Sequence, residues 1–300
     1  MKKFFKQAKH FFYYILAVII SGLFLYIPRK IALGFGVFIG DLIFYLSRKE
    51  RAKAVKNLSI AFGSEKSTKE ILNICRNCFR NLGKGLIEFL QLPRLNSYNL
   101  SKLVTFEGRE NMDNTLKKGK GGIILTAHIG NWELVGASGP LCGYKSNTIV
   151  RPTKLQLIDD WVNKRREKTG LKCIGRGASI KSALQCIKRN ELLGILADVD
   201  TKVDGVFVDF FGKPAYTPRG PVSIALKTGC ALLPTFIIRQ KDNTHRLIIE
   251  KPIELKITGD TEEDIRYNTE VYTKIIESYI RKYPEQWIWL HDRWKTKERE

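Results

Sequence analysis

Apolar and polar positions change texture twice along the chain. The first texture is an uncharged run, Phe11 to Ile27 (FFYYILAVIISGLFLYI), with Lys2, Lys3, Lys6 and Lys9 before it and Pro28-Arg29-Lys30 after it. A bilayer core takes about 20 apolar residues, so this run is slightly short for a span. No small-residue cleavage site follows it, which points to a retained anchor rather than a signal peptide. Aromatics beside lysines suit a membrane interface. A second apolar run, Ile31 to Leu46, is interrupted by Gly34, Gly36, Gly40 and Asp41. With basic residues on both sides of the first run, a hairpin or an oblique helix in one leaflet would keep both flanks on the cytoplasmic face. Residues 1–47 are therefore expected to form an N-terminal membrane anchor and juxtamembrane helix, and residues 48–300 the catalytic domain.

From Arg48 to about Leu92 the pattern is helical and amphipathic. Ser67 or Thr68 can cap a helix with Glu70 in its first turn. Phe79, Leu82, Leu86, Phe89 and Leu90 recur at helical spacing. Glu88 reads as a helix-edge charge, and Pro93 ends the helix. From Val104 the second texture begins, and strand-like and helix-like segments alternate. Strands are predicted at VTFEG, up to Ala127, at 147–150, near Cys173, at 192–197 and at 205–211. Helices fall between them, including 159–169, 178–189 and 221–228. A hairpin at 232–239 and 246–250 leads to a helix over 262–282 and a Trp-rich tail. Alternation of this kind predicts an α/β fold with a mostly parallel central sheet flanked by helices.

The stretch Gly121–Gly136, GGIILTAHIGNWELVG, reads as strand, turn and helix, a junction at the open edge of a sheet where ligands usually bind. His128 and Glu133 sit on it. A His held by a carboxylate can deprotonate a hydroxyl. The turn Ile129-Gly130-Asn131 is expected to offer backbone N–H groups to an oxyanion. The plainer alternative is a strand-end His satisfied by a nearby carbonyl. No GxSxG, HExxH, P-loop or GxGxxG is present. Gly175-Arg176-Gly177 could cradle a phosphate or simply cap a helix. With no enzyme nucleophile in view, His128 would act directly on a substrate hydroxyl.

Charge narrows the partner. Lys and Arg total 51 against 30 Asp and Glu, a net charge of +21, which draws the chain to nucleic acid, anionic lipid or an acidic carrier protein. The anchor favours lipid. Cys75 and Cys78 form a lone CxxC without a second pair to complete a zinc site, so the six cysteines read as reduced thiols. No metal or cofactor is expected.

HIGNWE at His128–Glu133, Arg151-Pro152, the Asp159…Arg166…Gly170 helix and LADVD at Leu196–Asp200 occur in order. GVFVDFFGKPAYTPRG at Gly205–Gly220, LPTFIIR at Leu233–Arg239 and PEQWIWLHDRWK at Pro284–Lys295 follow. Together they resemble the bacterial lipid A biosynthesis acyltransferases of the lysophospholipid acyltransferase superfamily, over essentially the whole chain. The resemblance implies a glycerolipid-acyltransferase-like fold at the cytoplasmic face of the bacterial inner membrane. It implies an acyl carrier protein, or acyl-CoA, as thioester donor and a lipid A precursor as glycolipid acceptor. His128, oriented by Glu133, would take the proton from a 3-hydroxyl of an acyl chain on the glucosamine disaccharide. Arg166 or Arg151 would stabilise the oxyanion or bind phosphate or carboxylate. Gly130 and Asn131 would shape the turn and position the acceptor. Asp198 would orient an arginine, with Asp200 a second candidate. Where the family reads Asp-Gln-Asp, this chain has Asp198-Val199-Asp200, without the middle amide. The C-terminal aromatic–basic alternation suggests a membrane-facing edge, with His291 structural. The rival enzyme reading is transfer to another lysolipid or glycolipid, such as a mannosylated phosphatidylinositol. The rival from another class is a membrane-tethered binder of anionic lipid or nucleic acid.

Overall fold

The computed structural model describes residues 2–151, 155–175, 179–201 and 203–298. Pro152, and Arg176 and Gly177 of the candidate phosphate turn, lie outside the described residues. The chain opens with two helices, α1 (Lys2–Tyr26) and α2 (Arg29–Leu46), followed by α3 (Arg48–Phe62) and α4 (Thr68–Gln91). Ser67 and Glu70 form the expected reciprocal cap at the start of α4, satisfying two backbone donors that a helix start leaves open. Helix α2 packs along α4 with glycines at the points of closest approach and the Phe44 and Phe79 rings in contact. A Cβ on Gly83 would sit 2.0 Å from the carbonyl oxygen of Gly36, and one on Gly40 would sit 2.5 Å from that of Phe79. Asp41 on α2 clamps the pair from the side, accepting from Arg76 and Arg80 of α4.

Among the described residues, no single helix is long and apolar enough to cross a membrane. The uncharged part of α1 runs only over Phe11–Tyr26, about 24 Å of helix against a hydrocarbon core of about 30 Å. Helices α2 and α3 would reach sufficient length together, but they are bent by 91° at their junction. The expected transmembrane helix is therefore not borne out. What α1 and α2 do show is an apolar outer surface, with Phe12, Ile19, Leu23, Phe35, Phe38 and Leu46 exposed.

After α5 (Ser97–Leu103) the α/β part begins: β1 (Val104–Glu107), α6 (Arg109–Lys117), β2 (Gly122–Thr126), α7 (Trp132–Leu141) and β3 (Ser146–Val150). Then come α8 (Gln156–Glu167), β4 (Lys172–Gly175), α9 (Ser179–Lys188) and β5 (Leu192–Leu196). The chain finishes with β6 (Gly205–Phe210), β7 (Lys213–Pro218), α10 (Gly220–Thr228), β8 (Ala231–Arg239), β9 (His245–Ile249) and α11 (Thr261–Lys282). Seven strands form one sheet in the order β1-β9-β8-β2-β5-β3-β4. β8, β2, β5, β3 and β4 run parallel, while β9 turns back antiparallel to β8 and carries β1 with it. This is the mostly parallel sheet that the alternation predicts. Strand β2 is buried along its whole length, as a central parallel strand covered on both faces must be.

The strand β7 is absent from the sequence reading. It pairs antiparallel with β6 in a separate hairpin, and Pro214 and Pro218 disguise it because proline cannot donate to a ladder. The Trp-rich tail also differs from expectation. Trp287, Trp289 and Arg293 are buried, and Arg293 donates to the carbonyl of Tyr216 (2.7 Å) and to Thr217 Oγ1 (2.5 Å) on β7. The tail is an interior strap, not a membrane-facing edge. The six cysteines are free, and Cys75 and Cys78 are buried side by side in the core, where burial pushes their thiols up to about 11 and about 12.

The α2–α4 contact can be tested within one helix. Gly83→Ala forces the backbones apart and is expected to cost about 1–3 kcal/mol. Gly85, two residues on, has nothing within 4 Å of its missing Cβ, so Gly85→Ala is expected to be neutral or stabilising by up to about 1 kcal/mol. Thermal unfolding in detergent reads both, and equal shifts for the two variants would remove the close-approach account.

Candidate active site

Parallel register builds this site. Strand β2 pairs with β5 so that Gly122 lies opposite Leu192 and Thr126 opposite Leu196. Extending that register by two residues sets His128 beside Asp198, each just beyond its strand's carboxyl end. Asp198 Oδ1 lies 2.8 Å from His128 Nδ1, and Asp198 Oδ2 accepts from the His128 backbone N–H at 2.9 Å. Trp287 from the tail donates its indole N–H to Oδ2 at 2.7 Å. Burial works against a charge on Asp198, but the His128 and Trp287 contacts outweigh it and hold the carboxyl below its ordinary range. An ionised carboxylate only accepts, so the imidazole proton sits on Nδ1 and Nε2 carries the lone pair. The His128 side chain remains 24% accessible, and among the described residues nothing hydrogen-bonds its Nε2.

Glu133 is not the carboxylate on His128. Its two oxygens receive Arg166 of α8 in a bidentate pair, Nη2 to Oε1 at 2.6 Å and Nε to Oε2 at 2.8 Å. The reason is local geometry: a residue five positions on, in the first turn of α7, does not face back across the turn. The neighbouring strand end reaches His128 instead. Burial opposes the charge of Arg166, and the Glu133 pairing overrides that and raises it.

The turn between His128 and α7 also departs from expectation. The N–H of Ile129 donates to the Ala127 carbonyl at 2.8 Å and that of Gly130 to the Gln286 carbonyl at 2.9 Å. Those donors are spent on the fold and cannot receive an oxyanion. Gly130 has φ +61°, and a Cβ there would lie 1.8 Å from the Ile237 carbonyl oxygen, so only glycine fits. Asn131 is buried. Its Oδ1 caps α7 by accepting from the Glu133 N–H at 3.2 Å, and its Nδ2 donates to Glu88 at 2.7 Å. Its side chain is turned inward, not towards an acceptor.

Glu88 is the largest surprise. Far from a helix-edge charge, it is buried and accepts from Arg239 (2.6 and 2.9 Å), Arg29 (2.5 Å), His245 Nε2 (3.0 Å) and Asn131. Burial alone would raise its carboxyl, but His245 and Arg239 hold it well below the usual range. The acidic pair around Val199 divides. Asp198 holds the His, whereas buried Asp200 anchors the tail through Thr296 Oγ1 (2.5 Å), and its carbonyl accepts from His291 at 2.9 Å and from Lys295. Among the described residues the partners of the Asp198 carboxylate are His128 and Trp287, not an arginine. Val199 points into the core, so the missing amide removes nothing from an open surface. Arg151 stands exposed just past the end of β3, one strand beyond β5 from β2 and so about 10 Å along the sheet edge.

Trp132 packs edge-on against His128 with ring centroids 5.1 Å apart. It also lines a largely apolar cavity, partly open to solvent, between the sheet and α7. Ile124, Leu192, Gly194, Leu196 and Leu247 form its floor, with Val135 and Gly139 of α7 above. Among the described residues no group of three or more His, Cys, Asp and Glu could hold a metal ion.

Sequence reasoning missed Trp287 and Asn131's true partner. Trp287 lies 159 positions from His128, read as their difference in numbering, and no local signal links them.

Comparison with known proteins places this arrangement. The chain is 27% identical over 275 residues to the lipid A biosynthesis palmitoleoyltransferase of Escherichia coli (strain K12), covering 90% of this chain and 87% of that protein. It is 26% identical over 256 residues to the lipid A biosynthesis lauroyltransferase of the same organism, covering 83% and 80%. It is 28% identical over 159 residues to the phosphatidylinositol mannoside acyltransferase of Mycobacterium tuberculosis (strain CDC 1551 / Oshkosh), covering 51% and 50%. A family model matches residues 1–296, nearly the full chain. With an imidazole set at the sheet edge beside an apolar cavity, the chain is an acyltransferase and belongs to the bacterial lipid A biosynthesis acyltransferase family.

Proposed function

We propose that this protein moves a fatty acyl group from a thioester donor, acyl carrier protein or acyl-CoA, to a hydroxyl of a lipid A precursor. The observation that carries the reading is the His128–Asp198 pair packed against Trp132, which lines an apolar cavity, in a chain of this family. The acyl chain lies in the cavity with its thioester beside Trp132. His128 Nε2 takes the proton of the acceptor hydroxyl while Asp198 holds the ring and stabilises the imidazolium. The oxygen attacks the thioester carbonyl, forming the C–O bond and a tetrahedral oxyanion. Collapse breaks the C–S bond, and the leaving sulfur takes the proton back from His128. Arg166, fixed by Glu133, is the cation assigned to the oxyanion, and exposed Arg151 is assigned to an anionic group of the acceptor; guanidinium suits both.

The same proposal places the protein at a membrane. The apolar faces of α1 and α2 would rest in one leaflet of the inner membrane from the cytoplasmic side, in the manner of an interfacial helix. Basic residues nearby add on the order of 1 kcal/mol each against anionic lipid. Helix α1 touches α8, the helix that carries Arg166, so a lipid acceptor in that leaflet lies close to the site. A mannosylated phosphoinositide is the alternative acceptor, supported by the mycobacterial relative. We assign residues 1–47 to this membrane contact and 48–300 to catalysis.

Mass spectrometry of lipids from cells with and without the protein reads acceptor and acyl length together. A single acyl increment on lipid A is expected, whereas an increment confined to phosphoinositides would favour the alternative. With purified protein, His128→Ala and Asp198→Asn are each expected to slow transfer by about 10²–10⁴-fold. Retention of near-full activity by His128→Ala would sink the base assignment. Gly194 leaves room on the cavity floor, its missing Cβ being 3.5 Å or more from its neighbours. Gly194→Leu is expected to shift donor preference to shorter chains, measured by competition among thioesters of different length; an unchanged length profile would place the acyl chain elsewhere.

A further inference from the structure

A charged cluster buried behind a catalytic turn calls for explanation, because a well-packed apolar core of equal volume is often as stable or more so. Glu88 is such a cluster's centre. It gathers Arg29 from α2, Arg239 from β8 and His245 from β9. Its remaining contact is Asn131, three residues after His128 and two before Glu133. An amide has a donating and an accepting end, and its orientation is set by its partners. Glu88 can only accept, so it fixes Asn131 Nδ2 inward. That leaves Oδ1 to cap α7 at the Glu133 N–H, and Glu133 in turn holds Arg166.

We propose that Glu88 is a positioning residue for acyl transfer: it locks the Asn131 amide, and through it the start of α7, so that Glu133 and Arg166 stand in register with His128. This inference rests on the acyl-transfer reading for its kinetic test. Glu88 touches neither donor nor acceptor; it acts through Asn131. Hydrogen bonds from His245 and Arg239, with the Arg29 guanidinium beside them, keep it ionised and therefore accepting, while burial disfavours a charge on His245 itself.

The test is a swap across the Asn131–Glu88 bond. Asn131→Asp sets two carboxylates together in a buried site, where they must share a proton. Its kcat is expected to fall as pH rises and strips that proton, with KM little changed. Adding Glu88→Gln restores one donor and one acceptor, since the Gln amide donates to the new carboxylate, which still caps the helix. The double variant is expected to recover at least about ten-fold in kcat over Asn131→Asp at high pH and to lose the new pH dependence. Asn131→Ser keeps a capping oxygen but drops the Glu88 contact, and is expected to lose kcat at every pH without loss of melting temperature. The proposal is overturned if the double variant shows only the product of the two single effects, or if Asn131→Ser keeps wild-type kcat. Should the wild-type protein transfer no acyl group to a lipid A precursor, the functional reading fails alone. The His128 imidazole titration, followed by NMR among the four histidines, then decides positioning: it is expected to change in Asn131→Asp and to return in the double variant, and an unchanged titration in both overturns the proposal.

Discussion

Removing a carboxylate from water is costly unless donors replace the lost hydration, and the site is arranged around one carboxylate so treated. Asp198 is fully enclosed and is held by the His128 backbone, the His128 ring and the Trp287 indole. Each contact comes from a different part of the chain's logic. Adjacent parallel strands bring the two strand ends level. The ring contact selects the tautomer that leaves Nε2 basic. The indole contact recruits the carboxyl-terminal strap, whose Gln286 carbonyl accepts from the Gly130 N–H and whose Ile288 N–H donates to the His128 carbonyl. In the proposed mechanism, proton transfer and closure of the fold thus share one buried charge.

Two N–H groups of the turn after His128 are thereby fixed in the fold, Ile129 to the Ala127 carbonyl and Gly130 to the Gln286 carbonyl of the strap. The proposed mechanism therefore takes the positive charge for a developing oxyanion from a side chain. Arg166 is the cation that the structure braces beside α7, and a bidentate carboxylate braces it better than a single contact would. Preorganised charge of this kind costs no rearrangement during reaction. The two acidic groups divide accordingly: Asp198 pairs with His128, the proposed base, and Glu133 with Arg166, the proposed oxyanion cation.

Much of the architecture was legible in the sequence because it is local. The cap at Ser67, the strand up to Ala127, the helix after Asn131 and the β8–β9 hairpin all announce themselves by period and punctuation. Residue pairing was less legible. His128 and Glu133 are near neighbours in sequence, and that proximity suggested a partnership which the helix geometry denies. The true partner lies 70 residues away by the register of 122 with 192, and register is a property of the sheet that no single segment carries. Glu88 misled for a related reason. Its place at the rim of an apolar face is visible, but Arg29, Arg239 and His245 converge on it from three other elements.

The same limit applies to the aromatic tail and the helices at the other end of the chain. Both alternate or accumulate apolar and aromatic residues, so composition assigns both to a membrane. Packing separates them. Trp287 and Trp289 meet ring to ring at 4.6 Å inside the core, and the buried Arg293 guanidinium lies over Phe210 while oxygens on β7 accept from its two terminal nitrogens. Phe12, Leu23, Phe38 and Leu46 meet nothing comparable and stay exposed. An apolar surface of that size, rimmed by charge, marks an interaction face rather than a core. Since α2 also delivers Arg29 to Glu88, the exposed apolar face and the buried cluster behind the His128 turn belong to the same helix pair.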